Sequence, residues 1–133
     1  MCIFAVKNIE QVRSDGKIHF FKLFKGGRCL FDDFVNGIKE NDIERKSLVS
    51  IFAIMDVMAE SDCMVPASKF NSIRKGSKVI GYEFKKNALR VYCLKKEPNV
   101  YVILGGYKKN QKKDIEKFHR LINESQSFLD GIS

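Results

Sequence analysis

The chain is poor in the side chains that carry most acid–base and metal chemistry. Its 133 residues include two histidines, His19 and His119, and four cysteines, Cys2, Cys29, Cys63 and Cys93. None of these pairs with another at a metal-ligand spacing, so no metal site is expected. The cysteines read as reduced thiols, and Cys93 falls mid-strand, where a core residue belongs. No histidine pair, Ser-His-Asp arrangement or carboxylate pair at a usable spacing is present, and nothing in the pattern calls for a cofactor. Long hydrophobic runs are lacking too. The run IFAIM at 51–55 is far short of the roughly 20 residues that span a membrane. The opening residues MCIFAVKN lack the basic start, long apolar stretch and cleavage site of a signal peptide. The cytoplasm is the expected location. With no repeat, low-complexity tract or linker, residues 1–133 are expected to form one domain.

What the chain does have is apolar material and an uneven distribution of charge. Hydrophobic residues make up 44% and aromatics 11%, enough for a core. The net charge is +8, but residues 69–120 carry 15 Lys/Arg against 4 Asp/Glu, and the remainder 9 against 12. One portion is suited to a polyanion and the other is not. A solvated basic surface without a ligand would show the same bias.

Hydrophobic periodicity predicts an α+β fold. Residues 1–12 hold an apolar patch that reads as an extended segment or short strand. Ser14-Asp15-Gly16 marks a turn, and KIHFFKLF at 17–24 has the composition of a strand ended by Gly26-Gly27. Phe31, Phe34, Val35 and Ile38 recur at helical spacing, predicting a helix over 30–39. A second helix over 43–60, with Asp42 as N-cap, has apolar positions around more than half its circumference and is expected to be largely buried. The two form a helical hairpin. Pro66 marks a break, and residues 68–77 read as a polar, basic connection. Strands over 79–85, 89–94 and 100–104 follow, joined by turns at Asn87-Ala88 and Glu97-Pro98-Asn99. Their alternation predicts an antiparallel meander with one face on the hairpin and one face open. A helix over 111–129, with Asn110 as N-cap, closes the chain.

The segment GGYKKNQKK at 105–113 concentrates the chemistry. Its two glycines allow the backbone to leave the strand in conformations that other residues avoid. Lys108, Lys109, Lys112 and Lys113 then gather at a helix start, where the dipole disfavours positive charge. Such a violation of a local rule marks a candidate site, and a phosphate there would gain from free backbone N–H groups. The other reading is a solvated helix start whose lysines pair with Asp114 and Glu116. Arg90 stands on the strand face opposite Leu89, Val91 and Cys93. It either pairs with Glu83 or holds a phosphate in bidentate fashion. Of the four tyrosines, Tyr82, Tyr92 and Tyr101 sit in strands and are expected to pack, whereas Tyr107 sits at the strand exit and is favoured for a site. Any phosphodiester chemistry would fall to Lys, Arg and Tyr.

These residues resemble the RelE/HigB toxin superfamily. Tyr82-Glu83-Phe84-Lys85 resembles the family's aromatic-Glu-Leu-Arg strand, with Lys85 where the arginine stands. Leu89-Arg90-Val91-Tyr92 resembles the strand that follows. Residues 106–113, GYKKNQKK, resemble the Gly-aromatic-x-Lys-Lys-Thr-Gln-Lys signature of its phage-derived HigB-like branch. The resemblance implies a RelE-like fold: an N-terminal strand and helical hairpin packed on an antiparallel meander, with a C-terminal helix. It implies the toxin of a type II toxin–antitoxin system, a ribosome-dependent endonuclease acting on mRNA in the ribosomal A site and neutralised by a helix-turn-helix antitoxin. In that family the RNA's 2′-OH attacks the adjacent phosphate and leaves a 2′,3′-cyclic phosphate. Carried over by motif, Arg90 is the phosphate clamp, Lys85 replaces an arginine with the same task, and Tyr107, Lys108 and Lys109 line the cleavage site. Arg74, Lys75, Lys78, Lys112 and Lys113 are the expected RNA contacts. The first thirty residues exceed those of compact members and suit an added strand or an antitoxin-binding surface. Two other readings stay open. One is a non-catalytic nucleic-acid-binding module using the same basic face; the other is an interaction domain for an acidic protein.

Overall fold

In a computed structural model of the chain, residues 3–39, 43–61 and 69–132 are described. Among them are six strands and three α-helices. β1 (Phe4–Asn8) and β2 (His19–Lys25) lead into α1 (Leu30–Asn36) and α2 (Ile43–Ser61). β3 (Phe70–Lys75), β4 (Lys78–Lys86), β5 (Leu89–Lys96) and β6 (Asn99–Tyr107) follow, and a 3-10 turn (Lys108–Asn110) opens α3 (Gln111–Asp130). The expected cap Asp42, the break at Pro66, and Cys2 and Cys63 lie outside the described residues.

The strands form one mixed sheet in the order β1-β2-β6-β5-β4-β3. All neighbours are antiparallel except β2 and β6, where His19 lies beside Asn99 and Lys22 beside Val102 in a parallel ladder. The apolar patch near the N-terminus is β1, the outer strand on one side. On the other side, the expected basic connection is instead β3, so Arg74 and Lys75 lie on a strand and Lys78 starts the next. Its apolar residues are few, but they are well placed. Phe70 stacks on Tyr82 at 5.2 Å and meets Phe84 at 4.5 Å, while Ile73 is buried on the opposite face. A polar edge strand bearing lysine is also what resists unwanted pairing with another sheet. Gly76 takes a φ of 64° in the two-residue turn to β4, as tight hairpins require.

The sheet is covered on both faces, not one. Leu48, Ile51 and Met55 of α2 and Phe31 of α1 pack on Val91, Cys93, Val100 and Val102. Phe118, Leu121, Ile122 and Leu129 of α3 pack on Tyr92, Tyr101 and Ile103, the alternate residues of the same strands. Two-sided burial is the reason that β6 reads VYVIL without a polar break. The open face predicted for the meander is therefore absent where α3 lies. α1 ends at Asn36, sooner than predicted, and Arg45 of α2 donates to the Val35 carbonyl in its last turn and to the Ile38 carbonyl beyond it. α2 buries a stripe and leaves Val49 and Val57 more than half exposed, so it is less enclosed than its composition predicts. No helix among the described residues is long and apolar enough to cross a membrane.

Candidate phosphate-binding site

The β4–β5 hairpin ends in a tight turn at Asn87-Ala88. Asn87 adopts a φ of 52°, a left-handed conformation that asparagine tolerates better than most residues. Two hydrogen bonds hold this tip. Asn87 Nδ2 donates to Ser47 Oγ on α2 at 2.8 Å, and the Lys108 amide donates to the Ala88 carbonyl at 2.7 Å. The hairpin tip, the start of α2 and the exit from β6 thus share one end of the molecule.

Gly105 and Gly106 serve that exit differently from the expectation. Neither has positive φ among the described residues. What they supply is room. A Cβ on Gly105 would come within 2.3 Å of the Phe34 ring, and one on Gly106 within 2.0 Å of Asp114 Oδ2. The helical layers approach β6 closely from both sides, so a side chain at either position must displace the Phe34 ring or the end of the Asp114 side chain. The backbone then enters the 3-10 turn and α3. Asn110 occupies the N-cap position but makes no side-chain cap hydrogen bond. Instead the Gln111 side chain donates to Glu83 Oε2 on the sheet at 2.9 Å, fastening the helix start to β4.

Arg90 is buried, with 8% of its surface exposed. Its Nη1 donates to the carbonyls of Asn87 at 2.9 Å and Leu89 at 2.8 Å, which aims the guanidinium at the hairpin tip. Its Nε has no partner. The expected pairing with Glu83 is not formed: Glu83 lies opposite Tyr92, and the cross-strand neighbour of Arg90 is Lys85. Two cations side by side on adjacent strands repel. Arg90, Lys85, Lys86, Asn87 and Lys69 line a depression of about 350 Å³. On the other side of the tip, Tyr107, Lys108, Lys109, Ala88 and Glu44 line a second of about 730 Å³. Tyr107 packs edge-on against Phe34 at 5.5 Å.

The ion pairs of the described residues lie elsewhere. Those among the described residues use Arg13, Lys22, Lys25, Arg28, Lys95 and Lys96. None engages Arg90, Lys85, Lys108 or Lys109, nor Lys112 and Lys113, which stand exposed in the first turn of α3. The predicted pairing of the helix-start lysines with Asp114 and Glu116 is not seen. Asp114 turns inward over Gly106, and burial raises its carboxyl above the usual range, with Lys117 opposing. Burial pushes the Tyr92 hydroxyl strongly upward, with Asp114 and Glu83 adding to the effect. That hydroxyl has no hydrogen-bond partner, so Tyr92 is a core residue, as are Tyr101 and Cys93.

The five predicted catalytic positions share one end of the molecule but divide between two depressions. Lys112 and Lys113 border the same end. Arg74, Lys75 and Lys78 do not join them. They flank the β3–β4 turn, at the far end of β4 from Lys85, seven residues or roughly 23 Å of strand away. Sequence reasoning missed Lys69, Lys86, Asn87 and Glu44. For Lys86 and Asn87 the signal was adjacency to Lys85 at a turn; for Lys69 and Glu44 there was none, because their place depends on strand and helix packing. Among the described residues no three His, Cys, Asp or Glu side chains gather as a metal site. Comparisons with protein-family models, with curated proteins and with solved structures find nothing that matches this chain.

Proposed function

We propose that this chain binds RNA through its phosphates and cuts it, as the cytoplasmic toxin of a RelE/HigB-type toxin–antitoxin pair. One observation carries the reading. Four cations and one amide line a single depression at the hairpin tip, and no carboxylate lies within ion-pairing distance of any of them among the described residues. Uncompensated like charges repel, and a phosphate relieves that repulsion. Arg90 and Lys85 hold the phosphate and stabilise the charge that builds on it. The RNA's 2′-OH attacks phosphorus, the P–O5′ bond breaks, and the products are a 2′,3′-cyclic phosphate and a 5′-OH end. Tyr107, Lys108 and Lys109 flank the leaving side. The antitoxin is a helix-turn-helix protein that masks this end, and the substrate is mRNA in the ribosomal A site.

Mapping mRNA 5′ ends after induction tests this. Wild type yields new 5′-OH ends and growth arrest; Arg90→Ala and the pair Lys108→Ala/Lys109→Ala yield neither. Unchanged ends with the wild-type chain overturn cleavage.

A second reading, a non-catalytic RNA-binding module, has its own support. Arg90 is largely enclosed and spends one nitrogen on two backbone carbonyls, and α3 covers much of the sheet face beside it. That reading predicts salt-sensitive RNA binding with no new ends.

A further inference from the structure

The larger depression beside the hairpin tip differs in chemistry from the cationic one. Its volume of about 730 Å³ lies within the range of small-ligand sites. Among the described residues its walls carry one carboxylate, Glu44, and two ammonium groups, Lys108 and Lys109, and no ion pair joins them. Glu44 stands in the first turn of α2, where the helix dipole favours an acid. The dipole does not account for its facing a depression whose other charged walls, among the described residues, are lysines.

The two depressions share a wall one turn thick. Asn87 lines the cationic one and Ala88 the other. Ser47 and the Lys108 amide pin that turn. A polynucleotide with a phosphate against Arg90 and Lys85 would reach the second depression by crossing that turn.

We propose that the second depression is a nucleobase subsite selective for guanine, with Glu44 as its specificity-determining residue. This rests on the RNA-phosphate reading above. A carboxylate only accepts hydrogen bonds. Guanine presents N1–H and its 2-amino group side by side, two donors that match two carboxylate oxygens. Its other edge presents N7 and O6, acceptors suited to lysine. Adenine and cytosine set a ring acceptor beside the amino group, and that lone pair repels a carboxylate. Uracil flanks its single N–H with two carbonyls. Of the four common bases only guanine offers a donor edge to Glu44 and an acceptor edge to Lys108 or Lys109. Ala88 and Tyr107 supply apolar wall for the ring.

The test is an NMR titration of the intact chain with guanosine, adenosine, cytidine and uridine, nucleosides that carry no phosphate. Guanosine should shift the amides of Ala88, Tyr107, Lys108 and Lys109 more than the other three do. Glu44→Gln, which keeps the shape but turns one acceptor into a donor, should reduce the preference for guanosine roughly tenfold or more. Equal shifts with all four nucleosides, no shift with any, or a preference unchanged in Glu44→Gln overturns the subsite. A parallel titration with inorganic phosphate separates this from the wider reading. Shifts at Lys85, Lys86 and Arg90 with phosphate but none with guanosine remove the subsite and leave phosphate binding. Guanosine shifts without phosphate shifts remove the phosphate site instead.

Discussion

At the residue scale, the cations divide into those held in ion pairs, such as Lys22 and Arg28, and those that form none among the described residues, such as Lys85. The Lys85 side chain makes no hydrogen bond or ion pair among the described residues, whereas its amide donates to the Lys69 carbonyl, a bond that substitution of the side chain leaves in place. Lys85→Ala should change unfolding free energy by no more than about 0.5 kcal/mol. It should also flatten the slope of log affinity against log salt for RNA by about one unit. Urea titration and a salt series of binding measurements check the two halves, and an unchanged slope would remove Lys85 from the site. Asp114 gives a pH signature of the opposite sign to the usual ion-paired carboxylate. Burial raises its folded value, so the folded chain holds this proton more tightly than the unfolded chain. Its contribution to stability therefore declines as pH rises from the ordinary carboxylate range through the folded value. Asp114→Asn should lack this decline. Urea midpoints of the two proteins at pH 4 and pH 7 should diverge with rising pH in favour of the variant.

At the element scale, the strand exit works by close approach. Gly105 faces the half-buried Phe34 ring, which α1 holds against the core, whereas Gly106 faces the end of the Asp114 side chain. A ring packed against the core and against Tyr107 retreats less readily than a terminal carboxylate. Gly105→Ala should therefore destabilise by about 1–3 kcal/mol, and Gly106→Ala by less. Chemical denaturation ranks them, and equal losses would mean that the Asp114 side chain is held as rigidly as the Phe34 ring. The glycine pair was legible as a special backbone position, but its cause was not, because the crowding comes from α1 on one side and α3 on the other. The same is true of β3. Phe70 and Ile73 are too sparse to register as a strand, and only stacking on Tyr82 and Phe84 makes them one.

At the scale of the whole molecule, the basic segment is one stretch of sequence and two places in space. Arg74, Lys75 and Lys78 lie at the far end of β4 from Arg90 and Lys85. Replacing all three with serine should leave binding of a dinucleotide unchanged and weaken binding of a long RNA, as fluorescence anisotropy would report. Equal loss for both lengths would put those residues in the same site as Arg90. The seven ion-pair contacts of the described residues lie away from the hairpin tip, so the field there is less cancelled than the net charge of +8 implies.

The sequence by itself determined the kinds of element apart from β3, most of their bounds, the strand alternation that sets Arg90 opposite Leu89 and Val91, and the concentration of lysines at the β6 exit. These are local properties, carried by periodicity, turn residues and composition. The tertiary structure decided what covers each face, since α3 packs on the side predicted to be open, and which strand neighbours which, since β6 pairs with β2 across more than seventy residues of chain. It also divided the predicted site at the hairpin tip and brought Glu44 and Lys69 to it. Those outcomes depend on which apolar surfaces meet, a choice made between elements far apart in the chain, and no local pattern encodes it.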